Sequence, residues 1–235
     1  MNPDTISTKE HIQAKITELI NACQLDNTGT TDQTAKIRNL SQSILQDEVR
    51  LLDRILYDIY ERYGCVGLSD CYKEKYGRHV YFPHARDENT LNIELAKAGP
   101  LMGKFKDTQP DIYKVLERYQ PYNSGQDWNG LLHELSNLGH RKLIPQNKFT
   151  TIQTIIGTFP LTGSIKISNV VVSSPAGTGF IHNLEINKGV VKGFDPYSMS
   201  YQTQYLIAGT SIDIIALCIH SYNKIENIFS ELSRY

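Results

Sequence analysis

The chain has 235 residues, of which 40% are hydrophobic and 21% are charged, and its formal net charge is -1. This composition is typical of a soluble globular protein, and the small net charge argues against a broad electrostatic footprint for nucleic acid or an anionic membrane. The sequence has no run of eighteen apolar residues and opens on polar residues, so it predicts neither a membrane span nor a signal segment. We therefore expect a cytoplasmic protein with free cysteine thiols and no cofactor.

Two helices are predicted before residue 65. Ser7 and Glu10 have the spacing of a capping box, which predicts that the first helix starts there. Its apolar positions recur at helical spacing, at Ile12, Ile16, Leu19, Ile20 and Cys23. After a turn-rich break at 27–31, Asp32 can cap a second helix that continues to Tyr63, where Gly64 is a natural stop. At about thirty residues, or roughly 45 Å, this helix needs packing partners along much of its length.

Residues 65–89 show no sustained periodicity, although a short apolar piece at 80–83 suits an extended chain. The start signal at Pro110 predicts a short helix that ends before Pro121. A further helix is predicted over 128–141. At 100° per residue its apolar side carries Trp128, Leu131, Leu135 and Leu138, and its polar side carries His133, Asn137 and His140.

The character of the chain changes near Lys148, after which Thr, Ser, Val, Ile and Gly replace most charged residues. Strands are predicted at 151–159, 164–173, 179–186 and 200–207, with turns between them. A last amphipathic helix over 210–233 must bury its apolar face, and we expect it to return to the N-terminal helices. The predicted fold is α+β, a helical bundle with a small antiparallel β-sheet inserted before the C-terminal helix. We expect a single domain over 1–235, mainly helical at 1–147, β at 148–208 and helical again at 209–235.

Several motifs resemble those of a family of uncharacterised bacterial proteins. That family has a QPY run, a helix end of the form N-x-x-K-H-R, an R-x-x-L-D motif and an F-P dipeptide. The similar residues here are Gln120-Pro121-Tyr122, Asn137 with His140-Arg141, Arg50 with Asp53 (one residue closer than in the family), and Phe82-Pro83. Gly139 stands where the family has lysine. The resemblance covers roughly residues 45–145 and implies a shared architecture, because the family has no established activity.

Six polar residues on two predicted helices form the main candidate site. They are Arg50, Asp53, His133, Asn137, His140 and Arg141. A contact between the helices would join them either as a ligand pocket or as a buried network that fixes the helix register. We favour the structural interpretation, in which the last two residues interact with the carbonyl groups at the helix C-terminus.

The alternative is a metal-independent ribonuclease. Helical nucleases of the HEPN type use an arginine and a histidine, and Arg78 and His84 have a permitted spacing, although their segment is predicted as loop or strand. In such chemistry the histidine transfers protons and the arginine stabilises the charge that develops on the phosphate. A zinc site formed by Cys65, Cys71, His79 and His84 is disfavoured, because the sequence has no C-x-x-C pair.

The sequence therefore predicts a non-enzymatic binding or interaction component whose partner is a protein or a small molecule. Whether the chain is an enzyme, and whether it forms a homodimer, are left open. Nucleic acid is a further partner to consider, although the net charge does not indicate it. An arginine and a histidine that converge in a cleft would favour the nuclease, whereas a polar stripe with internal partners would favour the binding component.

Overall fold

The computed structural model describes residues 1–27, 31–125, 127–139, 144, 146–159, 163–170, 178–181, 184–187, 190–191 and 195–235, and between 147 and 203 it describes the side chain of Lys148 alone. The described helices are α1 (Pro3–Asn27), α2 (Thr34–Ile59), α3 (Asp70–Gly77), α4 (Glu88–Lys97), α5 (Phe105–Thr108), α6 (Pro110–Arg118), α7 (Pro121–Ser124), α8 (Trp128–Gly139) and α9 (Ile214–Leu232). A π turn at Tyr60–Gly64 follows α2, and a 3-10 turn lies at Met102–Lys104.

The region before α9 contains extended backbone. The extended stretches are β1 (Gln146–Phe159), β2 (Gly163–Val170), β3 (Thr178–Ile181), β4 (Leu184–Asn187), β5 (Val190–Val191) and β6 (Asp195–Ile207). Where side chains are described, antiparallel pairing joins Gln146 to Ile207 and Lys148 to Tyr205. The body of the predicted sheet lies outside the residues whose side chains are described. The small inserted sheet is therefore not confirmed and stays a prediction.

The chain forms two compact units. The first, which we call the bundle unit, contains Met1–Thr17, Leu40–Leu143 and Cys218–Tyr235. The second unit contains Glu18–Asn39 and Ile144–Leu217. Each unit draws on distant parts of the chain. The division does not test the prediction of a single domain, which stays a prediction.

The first helix begins earlier than the capping-box spacing predicts. Asn2 Oδ1 accepts a hydrogen bond from the Asp4 backbone N–H (3.0 Å), and α1 begins at Pro3. Asn2 therefore occupies the capping position, and Ser7 lies one turn inside the helix. The predicted start at Ser7 was wrong, because Asn2 caps the helix more than one turn earlier in the chain.

Helix α2 confirms the predicted long helix. Its cap is Asp32, whose carboxylate accepts the Thr34 N–H at 3.0 Å. Its buried residues are Ile37, Ile44, Leu45, Leu51, Leu52, Ile55, Leu56 and Ile59. Each such side chain contributes roughly 1.5–3 kcal/mol by leaving water. The π turn ends at the predicted stop, Gly64, where a Cβ atom would lie 2.7 Å from Met102 Sδ. The helical bundle of the predicted fold is thus confirmed.

Helix α9 begins after Asp213, whose carboxylate accepts the backbone N–H groups two and three residues later at 2.8 and 3.2 Å. Within the bundle unit, Ser221 of α9 donates a hydrogen bond to Glu48 of α2 (2.6 Å). Lys9 of α1 forms an ion pair with Glu226 of α9 (2.9 Å). The C-terminal helix therefore contacts both N-terminal helices.

Helix α8 has a different buried face from the predicted one. Trp128 and Leu135 are buried as predicted, but Leu132 is buried too, whereas Leu131 and Leu138 are half-buried. The buried face is rotated toward Leu132, because Asn129 and Ser136 on the adjoining side are also buried. The end of the predicted helix, at 140–141, lies outside the described residues.

The segment 65–89 contains more helix than its lack of periodicity predicts. Helix α3 covers Asp70–Gly77, and none of its residues is buried. Helix α4 begins after Asp87, whose carboxylate accepts the Thr90 N–H at 2.7 Å. Helix α3 was not predicted, because a helix without a buried face gives no apolar pattern. Arg78 lies in the turn that follows α3, and His84 has no regular secondary structure, as the predicted loop requires.

Candidate functional site

The predicted cluster on α2 is divided between two places in the bundle unit. The side chain of Arg50 is 62% exposed and forms an ion pair with Asp47 at 3.1 Å. Asp53 accepts a hydrogen bond from the Phe82 backbone N–H at 2.9 Å instead. Burial raises the pKa of Asp53 to about 6, although the Phe82 hydrogen bond lowers it. The two residues therefore have separate partners and do not form one cluster.

Asp53 belongs to a set of buried polar side chains that hold residues 82–85, which we call the strap. Asn129 of α8 donates to the Pro83 carbonyl oxygen at 3.1 Å. Gln120 accepts from the Ala85 N–H at 2.9 Å and donates to the Leu116 carbonyl oxygen at 2.9 Å. Because these bonds satisfy backbone groups of an irregular segment, they fix its position in the bundle. This supports a structural role for the Asp53 part of the predicted cluster.

His84, at the centre of the strap, forms a pair with Asp127. The distance from His84 Nε2 to Asp127 Oδ1 is 2.7 Å. The same carboxylate accepts the Gly130 N–H (2.9 Å), so it also caps the first turn of α8. A Cβ atom on Gly130 would lie 2.4 Å from Asp127 Oδ1 and 2.6 Å from His84 Nε2. Glycine at this position therefore permits the close approach of the imidazole to the helix.

His133 lies one turn further along α8 and interacts electrostatically with His84. Burial lowers the pKa of His133, and the charge of His84 lowers it further. Within the described part of the chain, its buried Nε2 atom has no hydrogen-bond partner. His133 is thus a neutral imidazole at neutral pH, and its unpaired nitrogen is out of reach of solvent. These two predicted site residues do come together.

Two further predicted site residues that the structure describes, Asn137 and Arg78, are not part of this arrangement. Asn137 is exposed on α8. His140 and Arg141 lie outside the described residues. Arg78 pairs with Glu74 of α3, whereas His84 pairs with Asp127, so the arginine and histidine of the nuclease alternative have different partners.

The residues of the disfavoured zinc site are dispersed. Cys65 is buried, and its thiol donates to the Glu61 carbonyl oxygen at 3.4 Å. Cys71 and His79 are exposed. Among the residues that the structure describes, no group of three or more His, Cys, Asp or Glu side chains is placed to hold a metal ion.

A polar groove lies between α1 and α2 in the bundle unit, and we call it the α1–α2 groove. Its cavity volume is about 440 Å³. The lining residues are Asp4, Ser7, Thr8 and His11 of α1 and Asp47, Arg50 and Arg54 of α2. On each helix successive turns contribute residues three or four positions apart, and Ser7 and Thr8 are neighbours on the middle turn of α1, which places them on one side of the helix. All seven are polar, so the groove suits a charged, hydrated ligand better than an apolar one.

Arg54 bridges the two helices at this groove. Its guanidinium donates to the Asp4 carbonyl oxygen (3.2 Å) and to Thr8 Oγ1 (2.8 Å). Both acceptors are uncharged, so these bonds leave its positive charge uncompensated. Asp47 contacts two cations, because Lys15 lies 2.6 Å away in addition to Arg50. The groove is thus lined by two arginines and two aspartates, of which Asp47 is paired with Arg50 and Lys15.

Two buried acids were not predicted from the sequence. Glu48 accepts the Ser221 hydrogen bond, and burial raises its pKa well above the ordinary range. In the second unit, Asp26 accepts hydrogen bonds from Tyr205 and from Lys148 (2.6 Å). Burial alone would raise the pKa of Asp26, but these bonds outweigh it and the pKa is lowered. The partners of Asp26 are too distant along the chain to be recognised from the sequence. The groove residues, in contrast, share one side of their helices and can be found on a helical wheel.

Comparison of the chain with protein-family models, with curated proteins and with solved structures finds no match. The resemblance to an uncharacterised bacterial family stays an expectation. No helix in the described part of the chain combines the length and apolar character that crossing a membrane requires.

Proposed function

We propose that this protein is a non-enzymatic binding component whose α1–α2 groove takes a ligand with an anionic oxygen group, such as a phosphate. The observation that carries the proposal is the pair of arginines, Arg50 and Arg54, on one face of α2 at the groove. A guanidinium presents donors in a planar fork that matches two oxygens of a phosphate or carboxylate.

The two arginines have different roles in this proposal. Arg54 is held by hydrogen bonds to both helices and contributes a fixed positive charge. Arg50 is mostly exposed and is anchored by Asp47, so its remaining donors point to solvent or to a ligand. The hydroxyl group of Ser7 lines the opposite side and can donate a further hydrogen bond, whereas the Thr8 hydroxyl already donates to the Asp4 carbonyl oxygen (2.8 Å). Because Arg54 is held before a ligand arrives, little ordering is required on binding.

The histidine arrangement supports a binding component over an enzyme. A general base must reach the proton that it removes, and the unpaired nitrogen of His133 is buried. His84 is engaged by Asp127, and its position is part of the strap. The ribonuclease alternative stays a prediction, and its arginine and histidine, Arg78 and His84, have separate partners.

The test is calorimetric titration with pyrophosphate, which is an unspecific probe for an anionic oxygen site. We expect the wild type to bind it and Arg50→Gln to bind at least about tenfold more weakly, because a charge-assisted hydrogen bond contributes roughly 1.5–3 kcal/mol. Arg50→Lys should retain part of the affinity, since it keeps the charge without the fork.

The matched control is Arg78→Gln, because Arg78, just after α3, is also an exposed arginine paired with an acid on the preceding helical turn. Its affinity for pyrophosphate should equal that of the wild type. Equal losses in the two variants, or no binding by the wild type, would overturn the proposal.

A further inference from the structure

A group of three tyrosines, two exposed and one half-buried, lies at the C-terminal end of α2 and on α3. Tyr72 and Tyr76 stack with ring centroids 6.1 Å apart and ring planes at 18°. Tyr57 of α2 lies beside the end of α3, where a Cβ atom added to Gly77 would be 3.5 Å from the Tyr57 ring. Tyr72 is 51% exposed and Tyr57 is 41% exposed. We call Tyr57, Tyr72 and Tyr76 the tyrosine platform.

Helix α3 carries two of these rings without burying any residue of its own. Its contact with the bundle includes a hydrogen bond from the buried Tyr60 hydroxyl to the Lys73 carbonyl oxygen (2.8 Å). Most helices in proteins are stabilised by packing an apolar face, which α3 does not have. The ring of Tyr72 is therefore accessible to solvent instead of packed in the core.

The platform also carries positive charge. Lys75 Nζ lies 6.0 Å from the ring centroid of Tyr72 and 5.7 Å from that of Tyr76. Lys75 forms no ion pair with any described residue, whereas Lys73 is paired with Asp70 at 3.3 Å. The stacked rings thus have a cation beside them that no carboxylate compensates.

The platform continues the face of α2 that lines the groove. Arg50, Arg54 and Tyr57 stand at positions i, i+4 and i+7, so they lie within about 60° of one another around the helix. The distance along the axis from Arg50 to Tyr57 is about 10 Å at the standard helical rise. One side of the bundle unit therefore presents arginines and then exposed aromatic rings.

We propose that the anionic ligand of the α1–α2 groove is the backbone of a single-stranded nucleic acid, whose bases stack on the tyrosine platform. This inference rests on the proposed function, since it identifies the ligand of the same groove. Single strands are bound by combining cations along the backbone with aromatic side chains under the bases. A phosphodiester with a planar base matches both parts of this surface, whereas an acidic peptide matches only the cations.

The small net charge is compatible with this ligand. Three carboxylates at this surface, those of Asp47, Asp70 and Glu74, are each paired with a neighbouring cation. The carboxylate of Asp4 also lines the groove, which limits the electrostatic contribution there. Stacking does not depend on net charge and accepts every base, so it can supply affinity where the electrostatic contribution is limited.

The experiment is fluorescence anisotropy with a labelled twelve-nucleotide oligothymidylate and the matching oligouridylate. We expect Tyr72→Ala to weaken binding about tenfold, because stacking of one base contributes roughly 1–3 kcal/mol, and Tyr72→Phe to bind like the wild type. The control is Tyr81→Ala, since Tyr81 is 62% exposed and makes no described ring contact with the platform. Circular dichroism should show that all variants are folded, because α3 buries no residue.

The outcomes separate this inference from the proposed function. If pyrophosphate binds in an Arg50-dependent manner but the oligonucleotides do not bind, the inference is overturned and the proposed function stands. If neither probe binds, both are overturned. Equal losses in Tyr72→Ala and Tyr81→Ala, or equally tight binding of polyglutamate, would also overturn the inference, because stacking would not be the source of affinity.

Discussion

Replacement of Asp53 by asparagine should stabilise the protein at neutral pH. The Asp53 carboxylate is mostly buried, and burial raises its pKa from 3.8 to about 6. The folded protein therefore keeps this proton over a range of pH in which the unfolded chain has lost it. As the pH rises from 3.8 to 6, stability falls, and above pH 6 the loss is complete.

The magnitude follows from the pKa of Asp53, which is about two units higher in the folded protein than in the unfolded chain. Each unit corresponds to about 1.4 kcal/mol, so the ionised Asp53 destabilises the folded state by about 3 kcal/mol at pH 7. Asparagine keeps an oxygen that can accept the Phe82 N–H and has no proton to lose. We expect Asp53→Asn to equal the wild type below pH 4 and to exceed its stability by about 3 kcal/mol at pH 7.

The assay is urea unfolding at several pH values, followed by the fluorescence of Trp128. This residue is the single tryptophan of the chain and is buried in the bundle unit. Asp111→Asn is the control, because its carboxylate is exposed and lies 3.9 Å from its nearest cation, Lys114. Parallel pH profiles for Asp53→Asn and the wild type would refute the reasoning, as would a variant that is less stable at every pH.

Three further changes follow from the described contacts. Glu48→Gln should gain stability relative to the wild type above pH 4.5, by up to about 1.4 kcal/mol per pH unit, because burial raises the pKa of Glu48; urea unfolding across pH 4–8 checks this. Gly130→Ala should separate His84 from its carboxylate partner in a crystal structure, while stability changes by less than about 1 kcal/mol, because alanine favours the helix. A thiol reagent at pH 8 should modify the exposed Cys71 first and leave Cys23 intact, since burial and then nearby acids raise the pKa of Cys23 to about 11; mass spectrometry of peptides identifies the site.

The elements with a buried apolar stripe were predictable. The stripe of α2 and its cap at Asp32 were recognised from the sequence, because both signals are local. Helix α3 was not recognised, since it has no buried residue and therefore no apolar period. The start of α1 was placed at Ser7 instead of Pro3, because the capping-box spacing also occurs inside a helix.

The candidate site was predictable only in part. His133 and Asp53 were selected for their polarity within apolar helices, and both are mostly buried in the bundle unit. The partner of His84 was not found, because Asp127 is 43 residues away. Asp26 was missed for the same reason, since it and Tyr205 are 179 residues apart. Such pairs depend on how helices pack, and a single sequence carries no local trace of that packing.

Because α3 has no buried residue, its surface can change during evolution without changing the core. Most substitutions in a protein are limited by a stability threshold, because the side chain that changes also packs against others. On α3 that restriction is weak. The chain can therefore exchange the aromatic and charged residues of this helix, and so change the chemistry of the surface, while the bundle beneath it retains its free energy of folding.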